Sequence, residues 1–271
     1  MSLAGHARLA TSVARLPALL ALLAHGASVH AQAGPPYLTN DPGTPGDGNW
    51  EINLASMQTI ARGVASYQTP QIDLNFGLGR TIQLTYEIPY VIQTSARAAT
   101  TSAWGNAYPG IKWRFLDQGD GGWQMSTFPQ FETAGSAPAR SAGIAGSGPR
   151  FLVPFEVTKR VGSIDLDFEA GYYFPDHGSR ERIFGFVAGK SLTQRLELDA
   201  EIYDDRAQDG APRSTTFDVG GRYKLRPGII ALFMLGRSVS GFGQEQPEFM
   251  GYIGVQLLSS HFGRSFHTES E

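Results

Sequence analysis

Residues Gln71–Ile88 read QIDLNFGLGRTIQLTYEI. Ile72, Leu74, Phe76 and Leu78 alternate with Gln71, Asp73, Asn75 and Gly77. After Gly79-Arg80 the pattern restarts, with Ile82, Leu84, Tyr86 and Ile88 set against Gln83, Thr85 and Glu87. Successive side chains on a strand point to opposite faces, so the stretch reads as a hairpin with one apolar and one polar face. Working outward, Ile164, Leu166, Phe168, Ala170 and Tyr172 alternate with Asp165, Asp167, Glu169 and Gly171. Leu196, Leu198, Ala200 and Ile202 do so with Glu197, Asp199 and Glu201, and Thr215, Phe217, Val219 and Tyr223 with Thr216, Asp218, Arg222 and Lys224. About twelve such runs of roughly 10 residues occur, the length of a membrane-crossing strand. They start near 50, 70, 81, 106, 123, 150, 163, 182, 195, 214, 229 and 248.

The connections alternate in length. Gly79-Arg80, Asp117–Gly122, Lys159–Gly162, Lys190–Gln194 and Arg226–Gly228 read as short turns. Between them lie polar stretches at 61–69, 92–105, 134–149, 175–181, 204–213 and 238–247. Tight turns at one end and longer loops at the other are the habit of outer-membrane barrels. Aromatic residues gather near the strand ends (Trp50, Tyr86, Tyr90, Trp113, Trp123, Tyr172, Tyr203 and Tyr223), as interfacial girdles require. The expected fold is therefore all-β: a transmembrane, antiparallel, up-and-down β-barrel of about 12 strands. A soluble β-sandwich also alternates, but it does not call for strands of this length carrying Asp165-x-Asp167-x-Glu169 on one face.

Composition agrees with a β-rich chain. The 271 residues include 33 glycines, are 11% aromatic and only 17% charged, and no apolar run approaches the ~18 residues of a membrane-spanning helix. A net charge of −3 argues against nucleic acid as a partner. The absence of cysteine excludes disulfides and thiolate chemistry. At the N-terminus, Arg8 and Arg15 precede the apolar run Leu16–Ala24, and Val29–Ala33 (VHAQA) offers cleavage after Ala31 or Ala33. Residues 1–33 thus read as a secretory signal peptide, Sec-type, directing the chain to the outer membrane of a Gram-negative cell. Its removal takes away two arginines and no acid, moving the net charge from −3 to −5. Residues 34–49 (GPPYLTNDPGTPGDGN) read as an extended periplasmic lead-in, 50–258 as the barrel, and 259–271 as a polar C-terminal tail.

Several segments resemble a known family. Pro36–Ala55 (PYLTNDPGTPGDGNWEINLA), Gly110–Gln118 (GIKWRFLDQ), Gly189–Tyr203 (GKSLTQRLELDAEIY) and Phe217–Gly228 (FDVGGRYKLRPG) are similar to the MetA-pathway-of-phenol-degradation family. The resemblance covers nearly all of the chain after the signal peptide and implies an outer-membrane β-barrel of transporter type. Its motifs are strand and turn patterns, so it carries over no catalytic or binding residue. The chain end departs from a common barrel pattern: many such barrels finish on an aromatic residue, whereas here the last strand fades at Leu257-Leu258.

Catalytic signatures are missing. His177 lies in a predicted loop and His261 and His267 in the tail, none within a Ser-His-acid arrangement. Gly220-Gly221 and Gly241-x-Gly243 open no helix, so they do not read as phosphate cradles. No enzyme activity, cofactor or resident metal is expected. Function then belongs to the polar face, which in a barrel lines the lumen. The lumen set comprises Glu87, Lys112, Arg114, Asp165, Asp167, Glu169, Glu197, Asp199, Glu201, Arg222 and Lys224, with Glu51, Asp73, Glu132, Glu156 and Asp218 on the same parity. Register places Lys112 and Arg114 beside Glu87 and Glu132, and Arg222 and Lys224 beside Glu197, Asp199 and Glu201. Asp165, Asp167 and Glu169 have no equally obvious basic neighbours and read as a cation-attracting wall or an oxygen-ligand cation site, against the plainer reading of hydrated or loop-paired acids.

The leading functional expectation is a channel for passive or facilitated passage of small molecules, aromatic or hydrophobic compounds among them. About twelve strands leave a narrow passage, since eight are filled by side chains and 16–18 leave an open pore. A closed structural or adhesive barrel with binding outer loops is the alternative, and an outer-membrane lipid enzyme the third. The expected partners are outer-membrane lipid, the barrel-assembly machinery during biogenesis, and the small-molecule permeant. The 134–149 stretch, rich in Gly, Ala, Ser and Pro, should be an outer loop. An epitope inserted at Ser141 should be labelled on intact cells. Labelling only after the outer membrane is permeabilised would reverse the assigned orientation.

Overall fold

The computed structural model describes residues 33–146, 148–207, 214–240 and 246–261. Residues 1–32 (the expected signal peptide but for its last residue), residues 147, 208–213 and 241–245 in three expected outer loops, and the tail from 262 lie outside the described residues.

The chain forms fourteen antiparallel strand segments in one closed sheet. They are β1 Trp50–Ala61, β2 Val64–Leu78, β3 Ile82–Ser95, β4 Ala98–Trp104, β5 Tyr108–Asp117, β6 Trp123–Thr127, β7 Gln130–Glu132, β8 Arg150–Val161, β9 Ile164–Pro175, β10 Glu181–Ser191, β11 Leu196–Ala207, β12 Ser214–Arg226, β13 Ile229–Ser238 and β14 Phe249–Leu258. Both β4 and β5 pair with β3, and both β6 and β7 with β8, so each of these couples is one wall strand with a break in it. The wall therefore has 12 strands. Pairing of β1 with β14 closes the barrel, and every wall strand otherwise neighbours its sequence neighbours.

The breaks account for the prolines that sit within strand patterns. Pro129 lies in the gap between β6 and β7. Pro154 lies in β8 opposite that gap, because β6 pairing ends at Thr127↔Phe155 and β7 pairing begins at Gln130↔Leu152. The Pro154 carbonyl faces the gap and accepts from Thr127 Oγ1 at 2.7 Å. Carbonyl and N–H of one strand residue point the same way, so the missing N–H of Pro154 falls where no ladder partner exists. Pro89 repeats the device opposite the β4–β5 gap, its carbonyl accepting from Gly105 N at 2.9 Å.

Two expected loops are strand instead. Residues 61–69 contain only a two-residue turn, Arg62-Gly63, with φ of 48° and 74°, the positive pair that a tight hairpin with matching twist requires. Residues 92–105 likewise contain a two-residue turn at Ala96-Arg97 between β3 and β4. These extensions are rich in Ser, Thr, Gln and Ala and lack an apolar stripe. A strand projecting beyond lipid has no apolar face to keep, so period two disappears from its sequence. The 134–149 loop contains one short helix, α1 Ala137–Ser141, capped by Ser136, with Ala139 buried beneath it and Ser141 exposed.

Facing follows the alternation. Phe168, Leu198, Ile202, Val219 and Ile253 are exposed on the outside, while Asp165, Asp167, Glu169, Glu197, Asp199 and Glu201 are buried inside. Trp50, Trp113, Trp123, Tyr86, Tyr172 and Tyr223 are exposed, whereas Tyr203 turns inward and does not belong to the girdle. Strands β10, β13 and β14 carry apolar residues on both parities because their inner faces are apolar as well. Ile183, Val187, Leu232, Met234, Met250 and Tyr252 are buried there, and all but Ile183 form a cluster with Tyr37. Val219 and Leu225 share the outer face of β12, Leu225 next to a turn. Val219→Arg should destabilise the barrel folded in vesicles by about 2–4 kcal/mol and Leu225→Arg by only about 0–1 kcal/mol, because the cost of a lipid-facing cation falls toward the interface. Equal costs in denaturant titrations would contradict this placement.

Candidate functional site

The lumen is occupied by the chain's own N-terminal segment. Within the expected lead-in 34–49, Tyr37, Thr39 and Asp41 are buried inside the barrel, as is Ala33 just before it. The segment runs inward from the turn end, where Thr44 Oγ1 donates to the Arg80 carbonyl at 3.2 Å and Gly79 N donates to Asp47 Oδ1 at 2.8 Å. It then doubles back through a turn in which Tyr37 N donates to Gly34 O at 2.9 Å and Gly34 N to Thr39 O at 2.6 Å. Its sequence is amphipathic over a few residues. Tyr37 and Leu38 pack on the apolar inner strip of β10, β13 and β14, and Thr39 and Asn40 meet the acidic strands opposite.

The acids of β9 and β11 supply the anchors. Glu201 accepts from Leu38 N at 3.1 Å and from Thr39 N at 2.6 Å. Glu169 accepts from Asn40 N at 2.9 Å and from Asn40 Nδ2 at 3.4 Å. Hydrogen bonds to a charged acceptor are worth roughly 1.5–3 kcal/mol each when buried, so this set can hold a short segment. Tyr37 OH donates to the Asp199 carbonyl at 3.3 Å. Arg222 bridges wall and segment: Nη1 donates to Glu197 Oε1 at 3.1 Å, and Nη2 to the carbonyls of Ala33 at 2.9 Å and Pro35 at 2.8 Å. Lys112 Nζ donates to the Asp41 carbonyl and lies 3.7 Å from Glu156 Oε2.

The remaining expected lumen residues are distributed as follows. Asp165 is paired with Arg160 at 2.7 Å, and Asp167 accepts from Thr158 Oγ1. Glu87 is on the inner face and accepts from Gln71 Nε2 at 2.6 Å. Arg114 lies at the turn end, where it donates to the Arg80 carbonyl at 2.7 Å and pairs with Asp117 at 3.4 Å. Lys224 is half-exposed beside the β10–β11 turn, its N–H bonded to Arg195 O at 2.9 Å.

Three expectations change on this geometry. Lys112 and Arg114 do not pair with Glu87 and Glu132; Lys112 reaches Glu156 beyond β6, and Glu132 is taken by Arg150 at 2.6 Å. The acids of β9 are not a bare wall, since Arg160, Thr158 and Asn40 each donate to one of them, although Asp167 Oδ2 is left without a partner. Nor do they form an oxygen-ligand cation site: among the described residues no group of three metal-binding side chains is poised around one point. Close approach also explains a glycine that the strand pattern gave no reason for. Gly185, on the inner face of β10, lies so near the segment that an added Cβ would fall 2.1 Å from Thr39 Oγ1.

Spaces remain beside the segment. A cavity of about 330 Å³ lies between it and the β1–β3 wall, with Tyr108, Tyr173, Tyr203 and Tyr252 on its other sides. A smaller one of about 150 Å³ lies near the turn end, bordered by Arg114, Arg160, Asp165 and Asp167.

No family model matches the chain, and no curated protein matches it. Solved structures do. The COG4313 outer membrane channel from Pseudomonas putida F1 superposes with a TM-score of 0.60 at 13% identity, covering 80% of this chain and 99% of that one. The NanC porin gives 0.58 at 8% identity, over 76% of this chain and 98% of that one. The translocator domain of the autotransporter NalP from Neisseria meningitidis gives 0.51 at 12% identity, over 77% and 87%. At such identities the likeness is one of fold, and the fold is the 12-stranded barrel of outer-membrane proteins.

Proposed function

We propose that the chain is an outer-membrane channel for small molecules, in which the segment 33–44 sets the width of the path. The observation that carries this reading is the character of the interior. A purely structural barrel can be filled with apolar or small side chains, whereas this one holds ionisable groups along β9, β11 and β12 and an occupant held largely by hydrogen bonds. Such bonds exchange readily for water, so an occupant of this kind can shift or leave without unfolding the wall. The cavities beside the segment add polar-lined space to the same interior. The resemblance to the MetA-pathway-of-phenol-degradation family belongs with this reading, with aromatic or hydrophobic compounds as permeants, outer-membrane lipid around the wall and the barrel-assembly machinery acting in biogenesis. An exported N-terminus is part of it, the segment entering the lumen from the periplasmic end after loss of a signal peptide.

A closed structural or adhesive barrel is the second reading, favoured by the depth to which the segment fills the lumen. The lipid-enzyme reading gains nothing: His177 is exposed beside Asp176. Conductance separates the first two. The full-length barrel in planar bilayers should show small unitary steps. Gly185→Leu, which removes the space for Thr39, and Glu169→Ala with Glu201→Ala, which removes the carboxylate anchors, should each raise the unitary step severalfold. Silence of the wild type and of both variants would favour the closed barrel. Because Glu169 and Glu201 are engaged by the segment, cation preference should be weak in the wild type and should grow in Gly185→Leu.

A further inference from the structure

The β1–β3 wall presents acceptors without donors beside the cavity of about 330 Å³. Asn53 on β1, Asp73 on β2 and Glu87 on β3 form one row across three strands. Asp73 is 8% exposed; its Oδ2 accepts from Asn53 Nδ2 at 2.9 Å and Asn75 Nδ2 at 3.0 Å, and its Oδ1 has no hydrogen-bond partner. Gln71 donates its Nε2 to Glu87, which leaves Gln71 Oε1 without a partner as well. The amide orientations are forced, since turning any of the three would set an oxygen against a carboxylate. The unsatisfied groups are thus acceptors, and Asp73, Gln71 and Glu87 all border the cavity of about 330 Å³. The lumen's cations are committed elsewhere, Lys112 to Glu156 and the Asp41 carbonyl, Arg222 to Glu197 and the segment's carbonyls. Buried acceptors next to a cavity call for a ligand that brings donors and positive charge.

We infer that this cavity is a binding site for a primary ammonium group, received by Asp73 Oδ1, Gln71 Oε1 and Glu87, with the body of the ligand lying toward the tyrosines. An –NH₃⁺ group carries three donors and no acceptor, which matches the three acceptors presented. The rings of Tyr108 and Tyr252, which also line the cavity, suit an aromatic or short aliphatic body. The site deepens the channel reading and rests on it only for the route by which a ligand arrives. Binding at equilibrium therefore tests it without asking the barrel to conduct, and conductance reports on the channel separately.

The test is calorimetric titration of the full-length, detergent-folded barrel with 2-phenylethylamine, with 2-phenylethanol and phenylacetate as uncharged and anionic counterparts and tetramethylammonium as a cation without N–H donors. The amine should bind saturably at one site, and the three counterparts should bind about tenfold more weakly or not at all. Asp73→Asn and Glu87→Gln should each weaken amine binding by about tenfold or more, with heat-modifiable gel migration showing that both variants fold. Absence of saturable amine binding, equal binding of 2-phenylethanol, or full affinity in both variants would overturn the site while leaving the conductance result standing.

Discussion

A closed barrel has no choice about where alternate side chains go, and those that face inward lose bulk water and depend on partners inside. Here the inner faces of β9 and β11 carry Asp165, Asp167, Glu169, Glu197, Asp199 and Glu201 within a confined space. Wall neighbours provide for only some of them: Arg160 for Asp165, Thr158 for Asp167 and Arg222 for Glu197. Glu169 and Glu201 find their donors in the backbone of residues 38–40. The need for donors and the presence of the segment are two sides of one constraint. Burying those carboxylates bare would cost far more than the ordering of a few residues.

The opposite side of the lumen adds a second requirement. Val187, Leu232, Met234, Met250 and Tyr252 make an apolar strip that would otherwise face water. A suitable occupant must be apolar on one side and rich in donors on the other. Tyr37-Leu38 followed by Thr39-Asn40 meets that demand within four residues, and Gly185 clears the space between. The wall and the segment are thus complementary in chemistry as well as shape. Each bond between them is modest alone, which is what a movable occupant requires.

The barrel was legible because lipid imposes a strict apolar parity on the spanning part of each strand. The alternation in Gln71–Ile88 and Ile164–Tyr172 therefore locates wall strands directly. Legibility ended where lipid ended: β1, β2, β3 and β4 run on through 61–69 and 92–105, and residues such as Ser66, Thr94 and Thr100 there keep no periodicity. It failed for β10, β13 and β14 because apolar parity on both faces hides which side is inner. The segment escaped notice for a different reason. Proline and glycine in 34–49 say that the chain is extended and irregular, and they do not say where it lies. The available signal was indirect: inward acids on β9 with no obvious basic neighbours. Those acids suggested a cation wall, and for Glu169 the main donor proved to be a backbone N–H group of the segment, which no sequence displays.

The most direct measurement of this account is amide hydrogen exchange of Leu38, Thr39 and Asn40 in the full-length folded barrel, compared with Glu169→Gln/Glu201→Gln. Donation to the two carboxylates predicts slow exchange at these three amides in the wild type and a clear loss of protection in the double variant, with the amides of β9 and β11 unchanged. Exchange at the rate of an unstructured peptide in the wild type, or equal protection with and without the two carboxylates, would contradict it.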